Sequence, residues 1–568
     1  MEWELKNHIE DTVLNTVLKN RGLDNQKINW LLNADILNWE DYNNYTNIDR
    51  AYNCLLKNIR NNNKIGILVD TDVDGYCSSS IIYMFIKFDL QYDNVYYIQH
   101  TEKAKVHGLT KEIMDKVIED NTKLLITPDS SSENFKEQIE LNRNGIDFIA
   151  LDHHMYDLTK VPDTSIIINN KDGEVENIDG SGAMVTYKFI RYIVDKVNLD
   201  IGYKYIDLAN VANISDSMDM RSLENRYIFN IGKQVNHITN PLILSFVHDL
   251  KIKNYLKIDN VVWGISPIIN AIIRNGTTED KELLFRAFIG EEKTITYKSK
   301  GEIKKQKLQD AIIRIGKNYK RKQKDITDKA IKGNVKLFSV ENDKVILIDS
   351  NSIDAKVTGL LANKFMNVFN KPILMIRESD NKNNYTGSVR CPNYIDNFKS
   401  ICVDSKLFNW CKGHESSFGY EFPKKNINKF IKYTNDKFKN ITITITSNVE
   451  VDFVFDSNIN INDLICIGEL EDIWCGTIER PKFIIKDLRI NTMDIKKYGN
   501  ASYSFMKDKI LFKKDFCSKK FFNKMINEDN NNLKSKDLIM NILFSIKNNE
   551  NGYSYIDIID VESSVVNE

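Results

Sequence analysis

Hydrophobic positions along this chain change period several times, and each change predicts a different kind of element. In "HIEDTVLNTVLKNRGL" apolar residues recur every three or four positions, which predicts helices over residues 1–60. From Ile65 the pattern gives way to five short apolar runs, "IGILVD", "NVYYIQ", "KLLITPD", "DFIALD" and "TSIIIN", separated by longer amphipathic stretches. Unalternating runs of that length are strands buried on both faces. Their alternation with helical stretches predicts a parallel α/β sheet within residues 61–225. Residues 226–330 read as a mostly helical connector interrupted by "WGISPIINAIIRNG". A second, smaller α/β unit is expected over residues 331–438, from "VKLFSVENDKVILID", the helix "AKVTGLLANKFMNVF" and "KPILMIRES". Residues 439–510 alternate β-branched and polar positions ("ITITITS", "VEVDFVF", "KFIIKDLRI"), the pattern of a small β-barrel. Residues 511–568 form a Lys/Asn-rich extension with two helical patches.

Chemistry gathers at the ends of the first set of runs. "VDTDVDG" places Asp70, Asp72 and Asp74 at alternate positions, which in an extended chain would crowd three carboxylates onto one side. Asp129 ends "LLITPD", Asp152, His153 and His154 end "DFIALDHH", and Asp216 lies in "NISDSMD". Open α/β sheets carry their sites at the C-terminal edge, so parallel neighbours would bring these groups to one rim. Carboxylates mixed with imidazole suit Mn²⁺ first and Mg²⁺ next, and a bound cation would offset the repulsion between the aspartates. The alternative for each acid taken singly is a helix N-cap at a strand–helix turn.

Composition narrows the partners. The 568 residues carry a formal charge of -1, so an anionic polymer must meet a local patch rather than a uniformly basic surface. The most basic stretch runs from Tyr297 to Asp325, either a solvated helix face or one wall of a strand-guiding groove. Eight cysteines without a CxxC pair are expected to be reduced thiols. With no signal-like N-terminus and no run near the ~18 apolar residues of a membrane span, the expectation is a cytoplasmic protein with no membrane partner. No Walker or Rossmann fingerprint is present, so a nucleotide-driven motor has no support.

The motifs "VDTDVDG", "TPDSSSEN" and "LDHH", in this order and spacing, resemble the DHH phosphoesterase superfamily. "HGLT", "IDGSGAMVTYKFI", "NISDSMDMRSLENR", "SPIINAIIRNG", "TGSVRC", "CKGHESSFG" and "LEDIWCGTIERPKF" extend the resemblance towards its RecJ branch, over about 400 residues in all. The resemblance implies a DHH catalytic domain, a DHH-associated substrate-binding domain and an OB-like nucleic-acid-binding barrel. Asp70, Asp72, Asp129, His153 and Asp216 would be metal ligands for two Mn²⁺ or Mg²⁺ ions, with Asp74 as a further ligand or a group just behind them. Catalysis would rest on Asp72, Asp129, His153 and His154, with Asp152 orienting the histidines and His154 beside the scissile phosphate. His107, Asn270, Arg274, Ser388, Arg390, Gly413 and His414 would hold the substrate. Phe453, Phe455 and Trp474 stay open between stacking platforms and barrel core.

The implied activity is 5′ to 3′ hydrolysis of single-stranded DNA to mononucleotides in repair or recombination, inside a bacterium or a phage-infected host. A single-strand-binding protein or a helicase is the implied partner. Two other readings stay open: a phosphodiesterase of short oligonucleotides or cyclic dinucleotides, and a catalytically silent replication scaffold. The chain departs from the family at Ile268, where Arg is usual, and at Ile273, Val389 and Lys412, where Gly is usual. "QHTEK" replaces a Pro–Asn/His–Arg step, and Lys103, Lys105 or Lys412 are expected to restore the missing charge.

Overall fold

The computed structural model describes the chain except for residues 1–2, 7–8, 11, 102–106, 300, 333–335, 340–342, 393, 440–448, 458, 475–476, 499–501, 516, 528–534, 550–551 and 567–568. Lys103, Lys105 and "ITITITS" lie outside the described residues. The five apolar runs form β1 (Ile65–Val69), β2 (Val95–Gln99), β3 (Leu124–Pro128), β4 (Asp147–Asp152) and β5 (Ile166–Asn169). They make an all-parallel sheet in the order β2-β1-β3-β4-β5. Alternate side chains go to opposite faces: Ile65, Ile67 and Val69 join the large core, and Leu68 joins a second one with Ile98, Leu125 and Phe148. Helices α1 (Val73–Met84), α2 (Gly182–Val197) and α3 (Ile206–Ser215) cover the first face. Since β1 pairs with both β2 and β3, the order reverses there. The crevice above this switch point is where such sheets bind ligands.

The connector differs from its expected form. "WGISPIINAIIRNG" is helical, a π-helical turn (Asn260–Ile265) running into α4 (Ser266–Asn275). Pro267 sits at the start of the helix, where a missing N–H costs nothing. Ile268, Ile269, Ile272 and Ile273 are buried in the large core, and α5 (Leu308–Lys332) lies along them. Gly316 of α5 allows the close approach, because a Cβ there would stand 2.4 Å from Ile268 Cγ2. The real interruption is a hairpin, Thr294–Ser299 with Glu302–Lys307, in the basic segment.

The second α/β unit comprises β6 (Ile346–Asp349), β7 (Ile373–Glu378), β8 (Asn384–Arg390), β9 (Trp410–His414) and β10 (Ser417–Pro423), ordered β9-β10-β8-β7-β6. The C-terminal region holds β11 (Phe453–Phe455), β12 (Phe483–Asn491), β13 (Lys496–Tyr498), β14 (Ser502–Lys507), β15 (Ile510–Lys514), β16 (Asp537–Asn548) and β17 (Ser554–Val565). Among the described residues these seven strands pair in the line β11-β12-β16-β17-β15-β14-β13. Among the described residues of 511–568 there are one helix, Lys519–Ile526, and two twelve-residue strands rather than two helical patches. Leu538, Met540 and Ile542 alternate into the core, a period-two pattern masked by the surrounding Asn and Lys.

The first sixty residues divide between two cores. Val13, Val17, Leu18 and Ile28 pack with the C-terminal sheet, whereas Ile48, Ala51 and Leu55 pack with the parallel one. A buried ion pair, Arg21 to Asp452 at 2.7 Å, holds the first half in place.

Candidate metal centre and facing arginines

The three acids of "VDTDVDG" meet for a different reason from strand alternation. β1 ends at Val69, and the acids occupy the turn into α1 and its first residues. Asp72 is the N-cap, its Oδ1 accepting from Gly75 N at 3.1 Å. The carboxylate of Asp74 accepts from Gly182 N at 2.7 Å and Ala183 N at 2.8 Å, at the start of α2. Thus one helix N-terminus holds the acid of another. Gly75 and Gly182 make this possible: a Cβ would lie 2.7 Å from Asp70 Cβ in the first case and 2.6 Å from Asp129 Cβ in the second. Asp129 leaves β3 in the left-handed region at φ 59°, a strained conformation for a non-glycine residue. Asp216 caps the C-terminal end of α3, where the helix dipole disfavours an anion.

His153 stands at the middle of the cluster. Its Nε2 lies 3.2 Å from Asp129 Oδ1, 3.6 Å from Asp216 Oδ2 and 3.7 Å from Asp74 Oδ2. A neighbouring group brings ligand atoms of Asp70, Asp72 and His107 within 4.8 Å of one another. His107 Nδ1 is 2.5 Å from Asp70 Oδ2, so the residue expected at the substrate sits against the acids. Behind both histidines Asp152 accepts from the backbone N–H of His153 at 2.7 Å and of Ser132 at 3.2 Å, and its Oδ1 is 2.8 Å from His154 Nδ1.

Charge shows the same crowding. Burial first, then the charges of Asp74, Asp72, Asp70 and Asp216, push the Asp129 carboxyl well above the usual carboxylate range. Asp74 is pushed up to about 7 by burial and by Asp72, despite its two backbone donors. Burial alone would depress His154, but the Asp152 carboxylate outweighs it and raises the imidazole to about 10. Asp152 would be raised by burial, yet the two histidines and its donors hold it low. An oxygen-rich donor set with one central imidazole, self-repelling when empty of cations, fits Mn²⁺ or Mg²⁺.

Two half-buried arginines stand near the acids. Arg274, near the end of α4, feels the charge of Asp72, which partly counters the depression caused by burial. Arg390, at the end of β8, is depressed from 12.5 to about 10 by burial and by the nearby charge of Arg274. The connector and the second α/β unit therefore bring one guanidinium each close enough for their charges to interact. Asn270 lies half-buried one helical turn before Arg274, on the same side of α4.

In the second sheet Ser388 pairs with Gly419, which pairs with Lys412; Arg390 pairs with Ser417, which pairs with His414. Alternate positions on paired strands share a face, so Ser388, Arg390 and Lys412 occupy one face. Val389 and Phe418 are buried in the core on the other. Gly413 sits between Lys412 and His414 with φ 125°, a backbone shape that favours glycine. Phe455 and Trp474 are core residues and Phe453 packs against them, so none of the three is an open platform. Ile268, Ile273 and Val389 are likewise buried, so at these departures packing has replaced loop or charge. Sequence reasoning did not single out Gly182 and Ala183; their only trace is the "GSGA" that opens a helix.

A family description, "DHH family, N-terminal domain", matches residues 64–212. The chain is 32% identical over 558 residues to the "Putative SPbeta prophage-derived single-strand DNA-specific exonuclease YorK" of Bacillus subtilis (strain 168), covering 94% of this chain and 93% of that one. The single-stranded-DNA-specific exonuclease RecJ of the same strain is 22% identical over 498 residues, 84% of this chain and 59% of its own length. Among solved structures, RecJ in complex with Mn²⁺ from Thermus thermophilus has the same fold. Its TM-score is 0.65 at 16% identity, over 91% of this chain and 72% of that one.

Proposed function

Because the chain belongs to the RecJ-like branch of the DHH superfamily, it is an exonuclease of single-stranded DNA, and we propose that it degrades the strand 5′ to 3′ into mononucleotides. The observation that carries this reading is the placement of His153 Nε2 within 3.7 Å of Asp129, Asp216 and Asp74. Asp70, Asp72, Asp129, His153 and Asp216, with His107 and Asp74 beside them, would hold two divalent cations. Bound there, such cations supply positive charge to the transition state and make a water nucleophilic at neutral pH.

The protein's own groups do the rest. Asp152 fixes His153 and His154 by accepting from their backbone and ring N–H groups, and so keeps His154 protonated. His154, Arg274 and Arg390 surround the position of the scissile phosphate with positive charge, which grows in value as negative charge develops on the phosphate oxygens. In-line attack of water expels the 3′ oxygen of the departing nucleotide and leaves the phosphate on the shortened strand. Ser388 and Lys412, on the face that carries Arg390, would bind the 5′ end together with Gly413 and His414 of the same strand, and Asn270 the backbone. A cleft between the parallel sheet and the second sheet that admits one strand would reject a duplex.

Units at 61–225, 226–330, 331–438 and 439–510 would act as catalytic, connecting, substrate-binding and strand-binding parts, in a bacterial or phage-infected cytoplasm and in repair or recombination. Among the described residues no helix is long and apolar enough to cross a membrane. A partner such as a single-strand-binding protein or helicase fits this role.

The test is digestion of labelled single strands blocked at the 5′ or the 3′ end, with Mn²⁺, Mg²⁺ or EDTA, by wild type and Asp129→Ala. A 5′ block should stop wild type, a 3′ block should not, and EDTA and Asp129→Ala should each abolish product. Digestion that ignores the 5′ block overturns the polarity. Turnover of dinucleotides but not of long strands would instead favour the short-substrate reading.

A further inference from the structure

The seam between the connector and the C-terminal sheet carries an open, shallow hollow of about 260 Å³, lined among others by Asp259, Trp263, Arg480, Lys482, Lys547 and Asp557. Trp263 sits on the π-helical turn before α4 and is 70% exposed, so its ring adds little to any core. Its backbone is nonetheless anchored, the carbonyl accepting from Lys320 Nζ at 3.0 Å. The cations are placed by partners: Arg480 lies 3.6 Å from Asp259 and donates to Ile546 O at 3.1 Å, and Lys547 lies 2.8 Å from Asp557. Lys257 ties the two walls together, donating to Glu471 at 2.7 Å and to Asn548 O at 3.3 Å. Lys482 lies 2.6 Å from Glu479, so the hollow presents an exposed indole beside three cations, each held by a carboxylate that a phosphate would have to displace or share.

Those groups complement one nucleotide. An indole face takes a base by stacking, Lys and Arg take a phosphate, and carboxylates accept from base amino and imino N–H groups. The position of the hollow relative to the acids is short-range: Ser266, one helical turn beyond Trp263, has its Oγ 2.5 Å from Ser215 Oγ, and Ser215 adjoins Asp216. Trp263 is thus on the order of 15 Å from the reaction centre, a few nucleotides along a bound strand.

We propose that this hollow is a second nucleotide-binding site, apart from the reaction centre, which stacks one base on Trp263 and holds its phosphate with Arg480, Lys482 and Lys547. The proposal rests on the single-strand reading above. The nucleotide is either one further along the strand being degraded or a released mononucleotide, since both present the same chemistry.

The experiment measures binding by the full chain in EDTA, so that it does not depend on hydrolysis. Trp263→Ala should bind a labelled strand of roughly twelve nucleotides about tenfold more weakly, and Trp263→Phe within about threefold of wild type. With Mn²⁺ restored, turnover of a dinucleotide by Trp263→Ala should be unchanged. Quenching by deoxycytidine monophosphate that Trp263→Ala loses assigns the site to released product; lost strand affinity without such quenching assigns it to the strand. Unchanged strand affinity together with unchanged quenching overturns the site. The nuclease reading fails separately, when wild type leaves the strand uncut with every cation.

Discussion

Two like-charge clusters face each other across this molecule, and they are unequal. On the rim of the parallel sheet six aspartates and three imidazoles gather in two neighbouring groups, drawn from three strand ends, from the loop that carries His107 and from α3. Opposite them Arg274 and Arg390 arrive from two separate units. Each cluster alone is unfavourable: burial and then the neighbouring acids push Asp129 far up, and burial and then the charge of Arg274 push Arg390 down. The acids are fixed by backbone N–H groups and glycine contacts within one fold, whereas the arginines meet only because two units pack together. The acidic side is a self-repelling group that fits divalent cations, and the basic side, on the proposed function, would meet the phosphates of the strand.

Removing one acid should give the largest effect. Asp129→Asn is expected to lower hydrolysis by about a thousandfold or more while leaving metal-free binding of single strands within about twofold. The same change should stabilise the metal-free protein, because it relieves repulsion. Asp74, raised to about 7 by burial and Asp72, gives the sign of the pH dependence. The folded state holds this proton through a range where the unfolded chain has lost it, so its contribution is present on the acidic side and is lost as pH rises through about 7. In EDTA the melting temperature of wild type should fall by on the order of several degrees from about pH 5 to about pH 8, and the fall should be smaller in Asp129→Asn. Below pH about 7 protons compete with the cation, and the half-saturating Mn²⁺ concentration should rise about tenfold per pH unit. Calorimetry and a metal titration at several pH values check both.

The same contrast explains what the chain discloses as a sequence. Asp70, Asp129, His153 and Asp216 each end a short apolar run or its covering helix, so a period-two and period-three reading already places them at one edge. The reason for their meeting was less visible. It lies in Gly75 and Gly182, whose missing Cβ atoms matter only once α1 and α2 are packed. The place of His107 was not legible because a residue in a loop carries no periodicity, and only the fold shows it against Asp70. The C-terminal strands were hidden by composition: Asn and Lys flank "DLIMNILFSIKN", and long-range pairing with β17 overrides the local preference. Trp263 looked like part of a break in the connector, and its exposure is a tertiary fact.

Breaking the basic side should cost less. Arg390→Ala is expected to raise KM for long single strands by about tenfold to thirtyfold with a smaller change in kcat, because in the proposed role the guanidinium would bind an anion present in ground and transition states alike. Arg390→Lys should recover only part of this, since an ammonium cannot make the paired donation of a guanidinium. Arg274→Ala should show a larger share in kcat, given its proximity to Asp72. Steady-state kinetics with a 5′-phosphorylated strand separates the two, and equal kcat and KM effects in both variants would remove the distinction drawn here.

The smallest effect is expected at Lys412, and it bears on how this chain manages without the family's usual residues. Val389 and Ile268 are buried, so neither position supplies charge to a phosphate. Lys412 is exposed and shares a sheet face with Ser388 and Arg390 through Gly419. An exposed ammonium acts on a phosphate through a screened field and is worth about 1 kcal/mol or less. Lys412→Ala should therefore raise KM for a 5′-phosphorylated strand by about threefold to fivefold at low salt, and the difference should fade as salt rises. It should be absent for a strand with a 5′ hydroxyl. A salt-independent loss would instead mean that Lys412 positions the β9–β10 hairpin around Gly413, and the charge lost at the departures would then have no replacement on this face.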